Sequence, residues 1–314
     1  MKICVMGAGA LGSTIGGTLA AAGSDVWLVD QYQDHVDTMN HAGLRMLEAG
    51  AEKTIPVQAR IDCRGIGTAD LVIVLVKSFH TRQAIEAARP VIGPDTLVMS
   101  IQNGLGHEEI LAEVVERRQL IAGKTYVGGV FLGPGHVRSG VRGKETLIGE
   151  LDGSDTARIR RVAEVFNTAG LLTAVSDNIM GTIWDKLLIN VATGAVSTIT
   201  RLPYGELYQV PEIERCAVAA VAEAVAVAEA SGVTLSIRDP RDAWRKAAEG
   251  LPYEFKTSML QSLEKGSATE IDFINGSVVR WGEKVGVPTP VNGTLVAMVK
   301  GIERSILGGT KAAA

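Results

Sequence analysis

Residues 5–16, VMGAGALGSTIG, decide how the rest of the chain is read. Gly7, Gly9 and Gly12 stand in the spacing G-x-G-x-x-G, with Ala8, Ala10 and Leu11 between them. The preceding run, KICVMG, has the apolar pattern of a short strand; the following STIGGTLAAAG has that of a helix. The spacing alone is a weak signal, and the strand before it and the helix after it give it meaning. Gly7 permits the tight turn, Gly9 lets a pyrophosphate approach the backbone, and Gly12 lets the helix pack against the sheet. The helix start adds N–H groups and the positive end of a dipole. Residues Gly7 to Gly12 are therefore expected to cradle the phosphates of a dinucleotide.

Working outward, DVWLVD reads as the second strand and ends in Asp30. A carboxylate there can accept hydrogen bonds from the adenosine ribose hydroxyls, or it can cap a turn. It would repel a 2′-phosphate, and the next residue is Gln31 rather than an arginine. NAD is therefore the expected cofactor, with NADP second. ADLVIVLVKS and TLVMSIQNG are apolar runs suited to strands buried on both faces, with helical HTRQAIEAARPVI between them. This alternation predicts a doubly wound, Rossmann-like α/β domain. Lys77 and Asn103 follow two of its strands, at the ends where such sheets bind ligands; a solvated strand end and a turn residue are the plainer alternatives. LIAGKTYVGGVFL, GHVRSGVRG and ETLIGEL are β-rich and are expected to add strands at one edge of that sheet.

After Ser176 the pattern becomes helical, which predicts a Rossmann-like domain over 1–176 and an all-α domain over 177–314. The terminal GGTKAAA reads as frayed. The 314 residues suffice for two domains, and 46% apolar with 21% charged residues is ordinary for a globular protein. A net charge of −4 argues against a broad nucleic-acid surface. The first residues do not read as a signal peptide, and no apolar run has the roughly 18–20 residues that span a bilayer. Cys4, Cys63 and Cys216 form no C-x-x-C and read as small hydrophobes, in keeping with a cytoplasmic setting. His35, His41, His80, His107 and His136 show no metal-ligand spacing.

In the second half, WDKLLIN places Lys186 and Asn190 on one face of a helix. The lysine either snorkels to solvent or points into a cleft. SMLQSLEKGSATEIDFING adds Ser258, Glu270 and Asn275, and Ser267–Glu270 or Thr269–Asp272 could form a capping box.

Together, GAGALG, QNG at 102–104, WDKLLIN and SML…TEIDFING resemble the ketopantoate reductase (2-dehydropantoate 2-reductase) family over essentially the whole chain. The resemblance implies a Rossmann domain, an all-helical domain, an active site between them, and hydride transfer from a nicotinamide to a 2-keto acid. It implies that Lys186 is the general acid and Glu270 its partner. Asn103 would lie near both nicotinamide and substrate, Asn190 and Ser258 would bind substrate, and Lys77 would bind cofactor. A small keto acid is the implied partner, and a homodimer stays open. Two features depart from the better-known members: Asp30-Gln31 replaces an NADP-reading arginine, and Tyr204 and Phe255 stand where polar asparagines are expected. Both resemble an NAD-dependent D-2-hydroxyacid dehydrogenase branch acting on branched or aromatic 2-keto acids. A non-catalytic nucleotide sensor on the same fold is a further alternative, which the Lys186–Glu270 pair argues against.

Overall fold

Strand β1 (Lys2–Met6) pairs in parallel with β2 (Asp25–Val29) on one side and β6 (Leu71–Val74) on the other, so Val5 lies between Leu28 and Ile73. The computed structural model describes residues 1–309. Ile3 and Val5 face one hydrophobic core and Cys4 and Met6 the other, as a strand covered on both faces requires. Helix α1 (Ala10–Ala21) covers the first face, and α2 (Gln33–Ala42) places Val36 and Met39 in the same core.

β5 (Gln58–Arg60) closes one edge beside β2. Beyond β6 the sheet continues through β7 (Leu97–Ser100), β8 (Leu120–Thr125), β11 (Thr146–Gly149) and β12 (Thr173–Val175). The eight strands run in the order β12-β11-β8-β7-β6-β1-β2-β5, with only the β8–β11 pair antiparallel. Helices α3 (Thr81–Ala87), α4 (His107–Ala112) and α5 (Ala157–Thr168) connect them.

The expectation that the β-rich stretch extends one sheet edge holds for β8 and β11 and fails for the rest. β9 (Gly128–Gly133) and β10 (His136–Gly140) leave the main sheet. They pair with β3 (Leu44–Glu48) and β4 (Ala51–Ile55) in a four-stranded sheet ordered β4-β3-β10-β9. The physical reason is a close approach to α1. A Cβ on Gly129 would sit 2.6 Å from the Ala10 carbonyl oxygen, so a glycine-bearing strand lies directly on the helix.

Glu108, in the first turn of α4, is buried and its Oε2 has no hydrogen-bond partner. Burial, with a smaller contribution from Glu109, pushes its carboxyl up to about 7. A raised folded-state value means that stability falls as pH rises from the unfolded value near 4.5 to about 7. Glu108→Gln should therefore raise the melting temperature at pH 8, leave it unchanged at pH 4, and flatten the slope between. Melting curves across that range check this.

The helical part begins with α6 (Ile179–Thr200), which buries Trp184, Leu187, Leu188 and Val191. After α7 (Tyr204–Leu207), the alanine-rich α8 (Pro211–Ala230) packs against α9 (Pro240–Ala248), α11 (Asn275–Val285) and α12 (Pro290–Gly309). α10 (Ser258–Glu264) precedes α11. Small side chains at Ala217, Ala220, Ala224 and Ala228 line the buried face of α8. Its Glu223 accepts the Val291 and Asn292 N–H groups at 2.8 and 2.9 Å, satisfying donors that the start of α12 would otherwise leave open.

By contacts the chain divides into one unit of Met1–Gln102 with His107–Ile179 and a second of Asn103–Gly106 with Met180–Ala314. The second unit resumes at Met180, and four residues between β7 and α4 belong with it. The tail expected to fray lies, from residue 310, outside the described residues. Among the described residues no helix is long and apolar enough to cross a membrane.

Candidate active site

The glycine loop is built by collision limits. Gly7 has φ +96°, and a Cβ there would lie 2.8 Å from the Val76 backbone nitrogen. A Cβ at Gly12 would strike the Gly7 carbonyl oxygen. At Gly9, the N-cap of α1, an added Cβ meets nothing within 4 Å, and no side chain caps the helix. Space over Gly9, with the N–H groups of Ala10, Leu11 and Gly12 at the helix start, suits a dinucleotide pyrophosphate.

Asp30, one residue past β2, accepts the Ala8 N–H at 2.8 Å and the Tyr32 N–H at 3.0 Å. Its carboxylate is thereby fixed beside the loop. An ionised carboxylate has about four acceptor sites, so capacity remains for ribose hydroxyls. Lys77 is exposed and follows Val76, the residue against which Gly7 is packed.

Sequence reasoning missed the strut beneath this loop. Buried His35 accepts the Gly135 N–H at Nδ1, 2.8 Å away, which places its proton on Nε2. Nε2 then donates to the Ala8 carbonyl at 2.8 Å, and Ser13 Oγ donates to the same oxygen at 2.5 Å. Burial lowers the imidazole's proton affinity and favours this neutral form. No local spacing announces such a link, because Gly135 is a hundred residues away.

A second polar network holds the strand ends. Gln102 Nε2 donates to the Val76 carbonyl at 2.6 Å, Ser100 Oγ donates to Gln102 Oε1 at 2.9 Å, and Ser78 Oγ lies 3.0 Å from His107 Nε2. The segments carrying Lys77 and leading to Asn103 are tied together by it.

Asn103 begins the short strip that belongs with the helical unit. There the Leu105 N–H donates to the Phe273 carbonyl at 2.9 Å. Gly104 has φ +99°, and a Cβ would approach that carbonyl to 2.5 Å. Phe273 belongs to the 3₁₀ turn Ile271–Phe273, for which Glu270 is the N-cap. The strip carrying Asn103 is thus fastened to the turn carrying Glu270. The Glu270 side chain makes no cap hydrogen bond; the Thr269 hydroxyl instead accepts the Ile271 N–H at 3.3 Å. Neither proposed capping box forms, and the Thr269 N–H donates instead to Glu303 at 2.6 Å; at the start of α10 the cap is Thr257, which accepts the Leu260 N–H. Ser258 itself is exposed at the first position of α10.

Lys186 and Asn190 lie one turn apart on α6, both half-buried. One further turn along this face, the Thr193 hydroxyl lies 3.0 Å from the Tyr204 hydroxyl. Tyr204 is 7% exposed, and burial raises its hydroxyl pKa. Its ring meets Phe255 edge-on at 5.2 Å, and its N–H donates to the Phe255 carbonyl at 2.9 Å. The two aromatic departures noted in the sequence are therefore neighbours, joined by backbone and ring. Tyr208 and Trp244, stacked at 4.0 Å, extend the aromatic cluster.

Chemically, a half-buried lysine and an asparagine on one helix face, ending in an aromatic wall, offer a cation and an amide beside apolar surface. The glycine loop offers an anion cradle of its own.

Similarity to known proteins gives the family. The family model described as ketopantoate reductase PanE/ApbA matches residues 3–153, and the model of its C-terminal region matches residues 178–303. A 2-dehydropantoate 2-reductase of Pyrococcus horikoshii is 36% identical, covering 99% of this chain and 100% of that one. A crystal structure of a PanE/ApbA family ketopantoate reductase from Ralstonia eutropha JMP134 superimposes with TM-score 0.88 at 37% identity, covering 97% and 99% of the two chains. A ternary structure of D-mandelate dehydrogenase with NADH and anilino(oxo)acetate superimposes with TM-score 0.89 at 28% identity, covering 98% and 99%. The chain belongs to the ketopantoate reductase family.

Proposed function

We propose that this protein reduces the keto group of a 2-keto acid, ketopantoate or a relative of it, to the 2-hydroxy acid. The observation that carries the reading is the bond from the Leu105 N–H to the Phe273 carbonyl. It fastens Asn103 to the Glu270 turn, two positions that the chemistry needs near one substrate. A reduced nicotinamide, when bound, supplies the hydride. Lys186 donates a hydrogen bond, then a proton, to the keto oxygen as negative charge grows there. Glu270 accepts from the nascent hydroxyl and orients the lysine. Asn190 and Ser258 hold the substrate's polar groups, and Asn103 aligns substrate with nicotinamide. The Gly7–Gly12 loop and Lys77 bind the phosphate-bearing half of the cofactor. Asp30 binds the adenosine ribose and favours NADH over NADPH, since like charges repel in a partly desolvated site.

A second reading, favoured by the Tyr204–Phe255 contact, makes the physiological substrate a branched or aromatic 2-keto acid. An apolar wall there favours bulk, each buried methylene contributing about 1–3 kcal/mol of discrimination. One experiment decides between these substrates. Ketopantoate, 2-ketoisovalerate, 2-ketoisocaproate, phenylpyruvate and benzoylformate are each offered with NADH and with NADPH, and kcat/KM is measured. NADH should be preferred, and at least one apolar acid should match or exceed ketopantoate. Ketopantoate ahead of every other acid by about a hundredfold would reject the apolar reading. A preference of about tenfold for NADPH would remove Asp30 from cofactor choice.

A further inference from the structure

Beside the glycine loop stand two aromatic rings without a role in the reading above. Tyr32 and Phe131 are 46% and 39% exposed, with ring centres 6.4 Å apart. Both rest on His35, Tyr32 stacked at 6.4 Å and Phe131 edge-on at 5.1 Å. His35 is in turn bonded to the Ala8 carbonyl of the loop. The Tyr32 N–H is held by Asp30, and β9, which carries Phe131, lies on the first turn of α1 through Gly129. The rings are therefore anchored to the phosphate cradle from both sides, Phe131 through β9 and Tyr32 through the Asp30 carboxylate that accepts its N–H. Large aromatic side chains left exposed beside a nucleotide cradle mark a binding surface.

We propose that Tyr32 and Phe131 form an apolar wall for the adenosine ribose and, with Asp30, select a ribose whose 2′-hydroxyl is unphosphorylated. This rests on the dinucleotide reading and names further residues that decide which dinucleotide enters. The C–H face of a ribose can lie on ring surface. A 2′-phosphate would bring up to two negative charges against ring faces that are themselves electronegative. Three nearby donors are engaged within the protein: the Ala8 and Tyr32 N–H groups on Asp30, and the His35 Nε2 proton on the Ala8 carbonyl. Arg60, on β5, holds its guanidinium 5.3 Å over Trp27, which packs on the opposite face of the sheet. A 2′-phosphate would thus meet the carboxylate and the rings, with the exposed Lys77, assigned above to the cofactor's phosphates, as the cation that offsets them.

The test uses ADP-ribose and 2′-phospho-ADP-ribose, which differ only at the 2′ position and lack nicotinamide, so calorimetry reads binding without turnover. The wild type should bind ADP-ribose more tightly by at least about tenfold. Asp30→Asn should narrow the gap while the wall keeps it open. Adding Tyr32→Ser and Phe131→Ser should close it to about threefold or less, whereas Tyr32→Phe and Phe131→Leu, which keep the wall apolar, should leave the Asp30→Asn gap unchanged. Melting curves verify that the variants fold. A gap that closes fully with Asp30→Asn alone, or that survives the serine changes, overturns the wall. Tight binding of both ligands by the wild type overturns the wall and leaves the dinucleotide reading standing. Binding of neither overturns both.

Discussion

Lys186→Ala should fold normally, bind cofactor normally, and lose turnover by about 10²–10⁴-fold. Alanine is the best helix former, and Lys186 is only half-buried within the 22 residues of α6, so the helix tolerates the change. The reaction does not. Hydride arriving at a ketone leaves an alkoxide, and without an adjacent cation that charge has only water or amide donors to meet it. The loss should lie mainly in kcat, because charge on oxygen is far greater in the transition state than in the bound ketone. Lys186→Arg tests geometry: it restores a cation but offers a planar fork and a poor proton donor, so it should recover only part of the rate. Steady-state kinetics with a fluorescence titration of cofactor binding separate the two effects. Activity close to wild type in Lys186→Ala would take the lysine out of the mechanism.

Glu270→Ala should lower turnover by about a hundredfold while hardly moving the melting temperature. A helix-capping residue behaves the other way, costing about 0.5–2 kcal/mol of stability and leaving kinetics alone. The side chain makes no cap hydrogen bond, and the turn is held instead by its carbonyl oxygen, which accepts the Phe273 and Ile274 N–H groups at 2.9 and 3.1 Å. Alanine retains that carbonyl. Glu270→Gln keeps hydrogen-bonding shape and removes charge, so a partial recovery would separate orientation from electrostatics. Melting curves and rates taken on one preparation decide the matter: a large thermal shift with normal turnover would make Glu270 structural.

The parts legible in the sequence are those governed by local geometry. The glycine spacing between a strand and a helix appears in the structure as the β1–α1 turn, and the polar position after β2 is occupied by Asp30 at hydrogen-bond distance from that turn. Helical period placed Lys186 and Asn190 on one face. What stayed illegible depends on distant partners. β9 and β10 have the same alternation whichever sheet they join, and β10 pairs in parallel with β3, about ninety residues earlier. Glu270 sits where two capping boxes were plausible, and only the 3₁₀ turn with its Thr269 bond shows that neither is used. His35 gave no signal because it links Ala8 to Gly135, 27 and 100 residues away, and Thr193 gave none because it matters only through the Tyr204 hydroxyl across a turn in the chain.

The four residues Asn103–Gly106 also bear on how this chain could be recombined with a relative. A crossover placed at the end of the N-terminal unit would transfer α6 onward from one parent and leave this tetrapeptide from the other. The Gly104–Phe273 approach leaves no room for a side chain at 104, and the Leu105–Phe273 bond needs its register kept. A working chimera would therefore carry two grafts, the helical half and the tetrapeptide that belongs with it. Parents that differ in this short strip should yield hybrids in which each half folds and the Glu270 turn is misplaced.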